Sequence, residues 1–323
     1  MSAGDDRSCH GGSGQPGEAD GGWPDPVLTP LTVTQAARLV RLAEDAAAKR
    51  GLPMQYDGAG ALVPVGSDGV PVPGGVFAGL ANLARAVAGI PRQRWRSAVA
   101  AHFDQMAAYP DGPPPVPDDP ENELYLRLVC ARTIEPSWAQ RVPEFVPDVL
   151  TVPATYAGRA VAMHFDIDSL GVTWEETTRM GLANLRRLRD TVARVQHNGA
   201  EVVSLTGSMF TASRALVLDT VLRESLQVEN PGLGSLVAMP ARDMLLVHVL
   251  RDGTVITALD LMVTIATRMF GSRPGPVSPH VYYVADHGWQ QVTDRSTGGA
   301  IRAQVSGPLL CAAQHLGVRV IPS

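Results

Sequence analysis

The sequence predicts an α+β protein: a mixed, mainly antiparallel sheet packed with helices, preceded by a smaller helix-rich domain. Three features of the chain lead to this prediction. Strand-like and helix-like segments follow one another without strict alternation, which is typical of α+β folds. Residues 234–270 form an apolar centre with the pattern of two buried strands and a helix. Residues 111–123 form a Pro-rich acidic segment that separates the two parts.

The chain of 323 residues divides by composition into four parts. Residues 1–25 are rich in Gly, Ser, Asp and Pro, so we expect a disordered tail. Residues 26–110 are expected to form the small helix-rich domain and residues 124–323 the main domain. Between them, residues 111–123 contain five prolines and five acidic residues. We expect this segment to be a semi-rigid linker that enters neither helix nor sheet.

In the small domain, apolar spacing over residues 32–50 predicts a helix that Gly51 ends. Two short strands are expected next, with Asp57 and Gly58 in the turn between them. Residues 77–88 and 92–109 then have the pattern of two further helices.

The main domain is expected to begin with strands over residues 124–134 and 159–167, with a weaker candidate at 149–156. Thr173 and Glu176 have capping-box spacing, which predicts a helix that Asn198 and Gly199 close. Its buried seam is expected to contain Leu185, Leu188, Val192 and Val195. A strand at residues 201–205 and a helix at 212–227 follow.

The apolar centre predicts strands at residues 235–239 and 244–250 and a helix that begins near Thr257 and Asp260. This helix is apolar on several faces, so we expect most of its surface to be covered. A hairpin over residues 279–293, a short helix near 309–316 and a terminal strand complete the predicted fold.

Charge and composition exclude several classes of function. The net charge of −5 and the pI near 5.9 argue against nucleic acid or an anionic membrane as a partner. The basic residues are 26 Arg and one Lys, Lys49. A Walker-type phosphate loop needs a lysine beside its glycines, and this chain has none there. Lys49 lies in a polar helical segment without signs of burial, which argues against Schiff-base chemistry.

The cysteines and the N-terminal segment predict the cellular compartment. Cys9, Cys130 and Cys311 are widely spaced and include no CxxC pair, so we expect neither a disulfide framework nor a cysteine-rich zinc site. No apolar run has the character of a signal peptide or a membrane span. We therefore expect a soluble, cytoplasmic protein without cofactor or metal.

Four segments of the main domain share order and spacing with a known family. They are LYLRLVCARTIEP at residues 124–136, the helix at 174–188 with NLR at 184–186, TASRAL at 211–216 and LVAMPARD at 236–243. Together they resemble the YtpQ-like bacterial proteins, a domain of unknown function, over about residues 124–292. The resemblance implies a soluble α+β protein of unassigned activity, and it supplies no catalytic residue.

One short sequence occurs twice. GLANL lies at residues 79–83 and again at 181–185, and an arginine follows two residues later in each case, Arg85 or Arg187. An internal duplication would explain the echo, and so would chance in a chain rich in Ala and Leu.

Two clusters have residue types that carry chemistry. His164, Asp166 and Asp168 alternate, so on a strand they would share one face and could hold a metal, although a solvated face is the more common explanation. Ser208 follows one glycine but lacks the second glycine of a nucleophile elbow. Hydroxyl groups in such a position usually bond the backbone of a turn. We expect no catalytic residue in either cluster.

Four residues are candidates for binding: Arg214, Asp243, Asp166 and Asn184. Arg214 lies at the start of an apolar helix, where a cation needs a carboxylate or an anionic ligand to compensate it. Asp243 lies between two apolar strands and is the carboxylate that we expect to pair with Arg214. The alternative is a pocket in which Arg214 binds an anionic ligand.

Five arginines crowd one predicted helix and would form a cationic strip for an acidic protein partner: Arg179, Arg186, Arg187, Arg189 and Arg194. A solvated helix face is the alternative. Because no catalytic motif is present, the sequence favours a non-catalytic binding or adaptor protein of unknown partner. The competing hypothesis is a hydrolase-like enzyme whose site combines residues distant in sequence.

Overall fold

The computed structural model describes residues 22–66, 70, 78–107, 116–157 and 160–318. Its architecture is α+β, as predicted. Every strand pairing within these residues is antiparallel, so the parallel component expected of a mixed sheet does not occur there. The domain boundaries at residues 25, 110 and 123 stay a prediction.

The small N-terminal unit has a hydrophobic core of its own, which contains Leu39, Trp95 and Phe103. Its elements are α1 (Val33–Ala48), β1 (Met54–Tyr56), β2 (Ala61–Pro64), β3 (Ala78–Gly79), α2 (Ala81–Ala88) and α3 (Trp95–Ala107). Thr32 begins α1 with a capping box, which satisfies two free N–H groups of the first turn.

The predicted tail is partly ordered. Residues 1–21 lie outside the described residues, but Pro24 forms a β-bridge with Thr32. Val33 N donates to Trp23 O at 2.9 Å, and Asp25 Oδ1 accepts from Leu28 N at 2.7 Å. These bonds connect residues 23–25 to the segment that begins α1.

The end of the predicted linker is helical, contrary to expectation. Residues 111–115 lie outside the described residues, but Pro120–Glu123 forms a single turn, α4. Proline is tolerated at the first position of a helix because its missing N–H would have no partner there. Glu121 Oε1 accepts a bond from Arg179 Nη1 at 3.0 Å, which connects the turn to a segment that follows the predicted linker.

A four-stranded sheet follows, with one long strand at its centre. Its elements are β4 (Leu124–Cys130), α5 (Pro136–Ala139), β5 (Glu144–Val146), β6 (Val149–Ala157), β7 (Ala160–Met163) and α6 (Trp174–Arg187). The strands β4, β5 and β7 all pair with β6. The capping box of Thr173 and Glu176 begins α6, as predicted. The helix packs closely on β4, since a Cβ at Gly181 would lie 2.7 Å from Leu126 Cγ.

The remaining elements are β8 (Thr191–His197), β9 (Ala200–Thr206), α7 (Leu218–Ser225), β10 (Ser235–Ala241), β11 (Met244–Val249), α8 (Val255–Ser272), β12 (Val281–Ala285), β13 (Gly288–Gln291), β14 (Thr293–Arg295), β15 (Ile301–Ala303) and α9 (Gly307–His315). Six of these strands form one sheet in the order β13-β12-β10-β11-β9-β8. The predicted helix at 309–316 is confirmed by α9, and the predicted terminal strand falls largely on residues outside the description.

Apolar side chains bury both faces of this sheet. Leu236 and Leu246 contact the side that α8 covers, while Val237 and Leu245 face α7 and the 3₁₀ segment Ala212–Val217 before it. Burial on both faces is the reason that β10 and β11 are apolar throughout. The central stretch is therefore the core, as the sequence predicted.

The helix predicted to run to Asn198 ends instead at Arg187. Residues 191–197 form β8, so Val192 and Val195 belong to a strand. Asn198 and Gly199 have φ values of 47° and 83° and connect β8 to β9 as a tight hairpin turn. Two consecutive positive φ angles match the right-handed twist of the paired strands.

The helix α8 differs from prediction at its start. It begins at Val255, two residues before Thr257. Just before this start, Thr254 N donates a hydrogen bond to Asp252 Oδ1 at 2.9 Å. Of its 18 residues, 28% are buried, eight more are half-buried and five are exposed, so one strip of the helix faces away from the core. Among the described helices it alone has the length and hydropathy of a membrane span. It packs one face on the sheet, as core helices of soluble proteins do.

Candidate functional site

Arg214 and Asp243 do not pair, so the predicted ion pair is wrong. Arg214 Nη1 instead bonds Asp190 Oδ2, with 1% and 0% of the two side chains exposed. Asp190 Oδ1 also accepts a bond from Thr211 Oγ1 at 2.9 Å. The prediction missed Asp190 because it placed this residue inside a helix that ends before it. Both side chains are enclosed, and Arg214 Nε and Nη2 have no hydrogen-bond partner among the described residues.

Asp243 is bound to Arg273, which follows the end of α8. Arg273 Nε donates to Asp243 Oδ1 at 3.2 Å, and the side chains are 34% and 32% exposed. Asp243 is therefore already neutralised by a partner that the sequence did not suggest.

Asn184 and Asp166 lie apart from each other and have different roles. Asn184 is buried, and its Nδ2 donates to Glu121 O at 2.9 Å and to Leu124 O at 2.8 Å. These bonds tie α6 to α4 and β4. Asp166 is exposed, and its backbone oxygen accepts from Ser169 Oγ at 2.6 Å. Neither residue converges with Arg214.

His164 and its acidic neighbours do not form the predicted strand face, because β7 ends at Met163. His164 is buried, and its Nε2 lies 2.9 Å from Thr155 Oγ1, while Asp166 and Asp168 are exposed. Burial lowers the pKa of His164. No group of three metal-ligating residues occurs in the part of the chain that is described.

Ser208 takes part in the turn after β9. Its Oγ accepts a bond from Phe210 N at 3.0 Å and lies 3.1 Å from Tyr156 Oη. This is the backbone-bonding role expected of a turn hydroxyl.

The predicted cationic strip is not one helix face, because α6 ends at Arg187 and Arg194 lies on β8. Three arginines of this strip form hydrogen bonds or ion pairs with other residues of the chain. Arg187 Nη1 donates to Asn122 Oδ1 at 2.9 Å, Arg189 Nη1 donates to Glu224 Oε2 at 2.8 Å, and Arg194 pairs with Glu201. With Arg179 held by Glu121, four of the five arginines already have acceptors. Arg179, Arg189 and Arg194 are still 61%, 71% and 51% exposed, so binding of an acidic partner by the strip stays a prediction.

A different group of arginines lines one cavity of about 260 Å³. Arg85 comes from α2, Arg127 from β4, and Arg242 from the turn between β10 and β11. No acidic side chain is among the described residues that line the cavity. Guanidinium groups gathered without carboxylates are suited to binding an anion.

Arg127 is the most enclosed of the three. It is 8% exposed, and its Nε has no hydrogen-bond partner among the described residues. Its Cζ lies 6.0 Å from the ring centre of Phe210. Burial and, secondly, the like charge of Arg242 lower the pKa of Arg127 to about 10. At neutral pH Arg127 is thus charged in a place where an uncompensated charge destabilises the fold.

Arg85 and Arg242 are half-buried at the same cavity. Burial lowers the pKa of both side chains. The negative charge of Asp243, which is hydrogen-bonded to Arg273, raises the pKa of Arg242 and so offsets part of this decrease. Arg85 Nε, like that of Arg127, has no partner in the described structure. The cavity therefore contains three cations and unused donor groups.

The N-terminus of α2 contributes further donors. Gly79, Ala81 and Asn82 line the cavity, and Leu80 at the N-cap gives the helix no side-chain cap. Asn82 Oδ1 accepts a bond from Gly275 N at 2.8 Å, which leaves its Nδ2 as a donor. Free N–H groups and the positive end of the helix dipole favour a negative charge here.

The remaining wall of the cavity is largely apolar. This wall contains Val129 from β4, Met163 from β7 and Ile134 from the segment after β4. Pro276, from the segment after α8, completes it. The cavity thus combines a cationic end with an apolar wall, and residues from the small unit and both sheets contribute to it.

Comparison of the chain with known protein families, curated proteins and solved structures finds no match. The chemistry of the cavity is therefore interpreted from its own residues. The arrangement can neutralise an anion, orient it by forked hydrogen bonds and cover an attached apolar group.

Sequence reasoning did not select any of the three arginines as a site residue. Arg127 and Arg242 lie in two of the segments that carry the family resemblance, and Arg85 follows the first GLANL echo. The echo itself has no common structural role, because Gly79 precedes α2 whereas Gly181 lies within α6. Nothing local in the sequence indicates that these arginines meet.

Proposed function

We propose that this protein is a non-catalytic binding protein that holds a small anionic ligand in the arginine cavity. The observation that carries the proposal is the convergence of Arg85, Arg127 and Arg242 on one cavity without an acidic residue in its described lining. A buried charge without a partner is costly, and it persists where function requires it. An anionic ligand would supply the missing compensation.

The family and the compartment enter the proposal as well. We propose that the chain is a YtpQ-like protein of the bacterial cytoplasm, since two segments of that resemblance bring Arg127 and Arg242 to the cavity. The hydrolase hypothesis has less support. Ser208 bonds a turn, His164 bonds Thr155, and neither lines the arginine cavity.

The test replaces Arg127 with an apolar side chain of similar length. We expect Arg127→Met to weaken binding of inorganic phosphate about 10- to 100-fold, because a charge-assisted hydrogen bond contributes roughly 1.5–3 kcal/mol. Without ligand, we expect the same variant to be as stable as the native protein or more stable, because it removes an uncompensated buried charge. Calorimetric titration and denaturant unfolding measure the two quantities.

The matched control is Arg186→Met, which changes an exposed arginine of α6 outside the cavity lining. It should leave the phosphate affinity unchanged. Native affinity in Arg127→Met, or equal losses in both variants, would contradict the proposal.

A second prediction concerns Gly275, which makes room for Arg242. Gly275 has φ +67°, and a Cβ there would lie 2.5 Å from Arg242 Cδ. We expect Gly275→Ala to displace this side chain from the cavity and to weaken phosphate binding about tenfold, the effect of roughly 1.4 kcal/mol. Titration calorimetry on the folded variant measures this loss.

Gly51→Ala is the control for backbone strain. Gly51 has a similar φ of +73°, but a Cβ at this residue would have no atom within 4 Å. Gly51→Ala should lose about 1–2 kcal/mol of stability from the left-handed backbone, and Gly275→Ala should lose at least as much, because Arg242 must also move. Only Gly275→Ala should lose affinity, and equal affinities in the two variants would count against a role for Arg242.

A further inference from the structure

We infer that the ligand of the arginine cavity is a phosphate monoester whose doubly charged phosphate group is attached to a small apolar body. This inference rests on the proposed function and names the chemical class of the ligand. Four properties of the cavity support it: its charge, its donors, its wall and its size.

The charge favours a dianion over a monoanion. Arg85, Arg127 and Arg242 contribute three positive charges, and the lining residues described contain no carboxylate. Asp243 is the acidic residue beside Arg242, but it is bonded to Arg273. A monoanion would leave two charges uncompensated, whereas a phosphate monoester carries nearly two negative charges at neutral pH.

The donors favour an anion with three terminal oxygens. The three guanidinium groups come from separate elements, so each can approach a different oxygen. A single carboxylate has only two oxygens for them. The uncapped start of α2 and Asn82 Nδ2 add donors of the kind that bind phosphate at helix N-termini.

The apolar wall and the volume of the cavity limit which group can be attached to the phosphate. Val129, Ile134 and Met163 offer apolar contact to a hydrocarbon group beside the phosphate. The cavity of about 260 Å³ lies close to the lower end of the roughly 300–1,000 Å³ that is usual for small-molecule sites, so it suits a compact ester.

The experiment compares matched ligands by calorimetric titration of the full chain at about pH 7.5, where the phosphate ester is nearly fully dianionic. Phenyl phosphate is the dianion, phenyl sulfate is the monoanion of similar shape, phthalate is a dianion with two carboxylates, and inorganic phosphate lacks the apolar body. We expect phenyl phosphate to bind at least tenfold more tightly than each of the other three. We expect Arg127→Met to remove most of this preference.

A pH series separates the charge of the ligand from titration of the protein. The second pKa of a phosphate ester is about 6, so near pH 5 only about a tenth of it is dianionic. We expect the affinity for phenyl phosphate to fall about tenfold between about pH 7.5 and 5, while that for phenyl sulfate stays constant. Besides the arginines themselves, the titratable groups that interact electrostatically with Arg85, Arg127 and Arg242 are Cys130, Tyr156 and Asp243. None of these groups is a histidine.

The outcomes distinguish this inference from the proposed function. If phenyl sulfate binds as tightly as phenyl phosphate, the preference for a dianion is wrong. If phthalate binds more tightly than phenyl phosphate, the preference for a phosphate group is wrong. If inorganic phosphate binds as tightly as phenyl phosphate, the apolar wall makes no contribution to binding. In each of these cases anion binding itself would stand. If none of the four ligands binds, the proposed function fails together with the inference.

Discussion

Arg214→Ala is expected to lower the free energy of unfolding by about 3–5 kcal/mol, because it leaves the Asp190 carboxylate buried without its cation. No part of the Asp190 side chain is exposed, so water cannot replace the lost partner. Asp190→Ala should have a similar effect for the converse reason. Denaturant unfolding at equilibrium measures both changes.

The double variant makes the prediction specific to the pair. Once one partner is absent, removing the other should cost little, so Arg214→Ala and Asp190→Ala should be strongly non-additive. Arg214→Ala and Asp243→Ala should instead be additive, because Asp243 bonds Arg273. Additivity within the first pair would contradict the ion pair described here.

The Asp243–Arg273 pair is the matched control for burial. Its side chains are 32% and 34% exposed, so solvent screens the interaction. Asp243→Ala should therefore lower stability by less than about 1 kcal/mol. A loss as large as that of Asp190→Ala would show that exposure does not decide the difference between the pairs.

Gly234→Ala is expected to destabilise the protein by about 2–5 kcal/mol, the combined effect of a left-handed backbone and of overpacking. Gly234 has φ +79°, and a Cβ there would lie 2.5 Å from Val284 O. That oxygen belongs to the backbone of β12, which pairs with β10, so it cannot move as a side-chain end would. Thermal or denaturant unfolding measures the loss.

Gly58→Ala separates the two contributions. Gly58 has nearly the same φ, +76°, but nothing lies within 4 Å of its Cβ position. This variant should lose only about 1–2 kcal/mol from the backbone conformation. Equal losses at Gly58 and Gly234 would mean that the contact with β12 has no effect.

Much of the fold could be predicted from local patterns. The capping box of Thr173 and Glu176 begins α6, and the apolar runs at residues 235–239 and 244–250 are β10 and β11. These signals suffice because caps and buried strands depend on residues close in sequence. The error after Arg187 has a local cause as well, since Leu188, Val192 and Val195 mimic the spacing of a helix. The positive φ angles at Asn198 and Gly199 show that this dipeptide is a hairpin signal.

The sites depend on contacts that no local pattern carries. Asp190 and Asp243 were both available to Arg214, and only the packing of the 3₁₀ segment against the start of β8 selected Asp190. The three arginines of the cavity likewise occur on different elements and far apart in the chain. The sequence by itself determined the α+β class, the apolar core and most helix starts, because these follow from periodicity and short-range bonding. The tertiary structure alone decided which charges are paired and which remain free, because that depends on where distant segments meet.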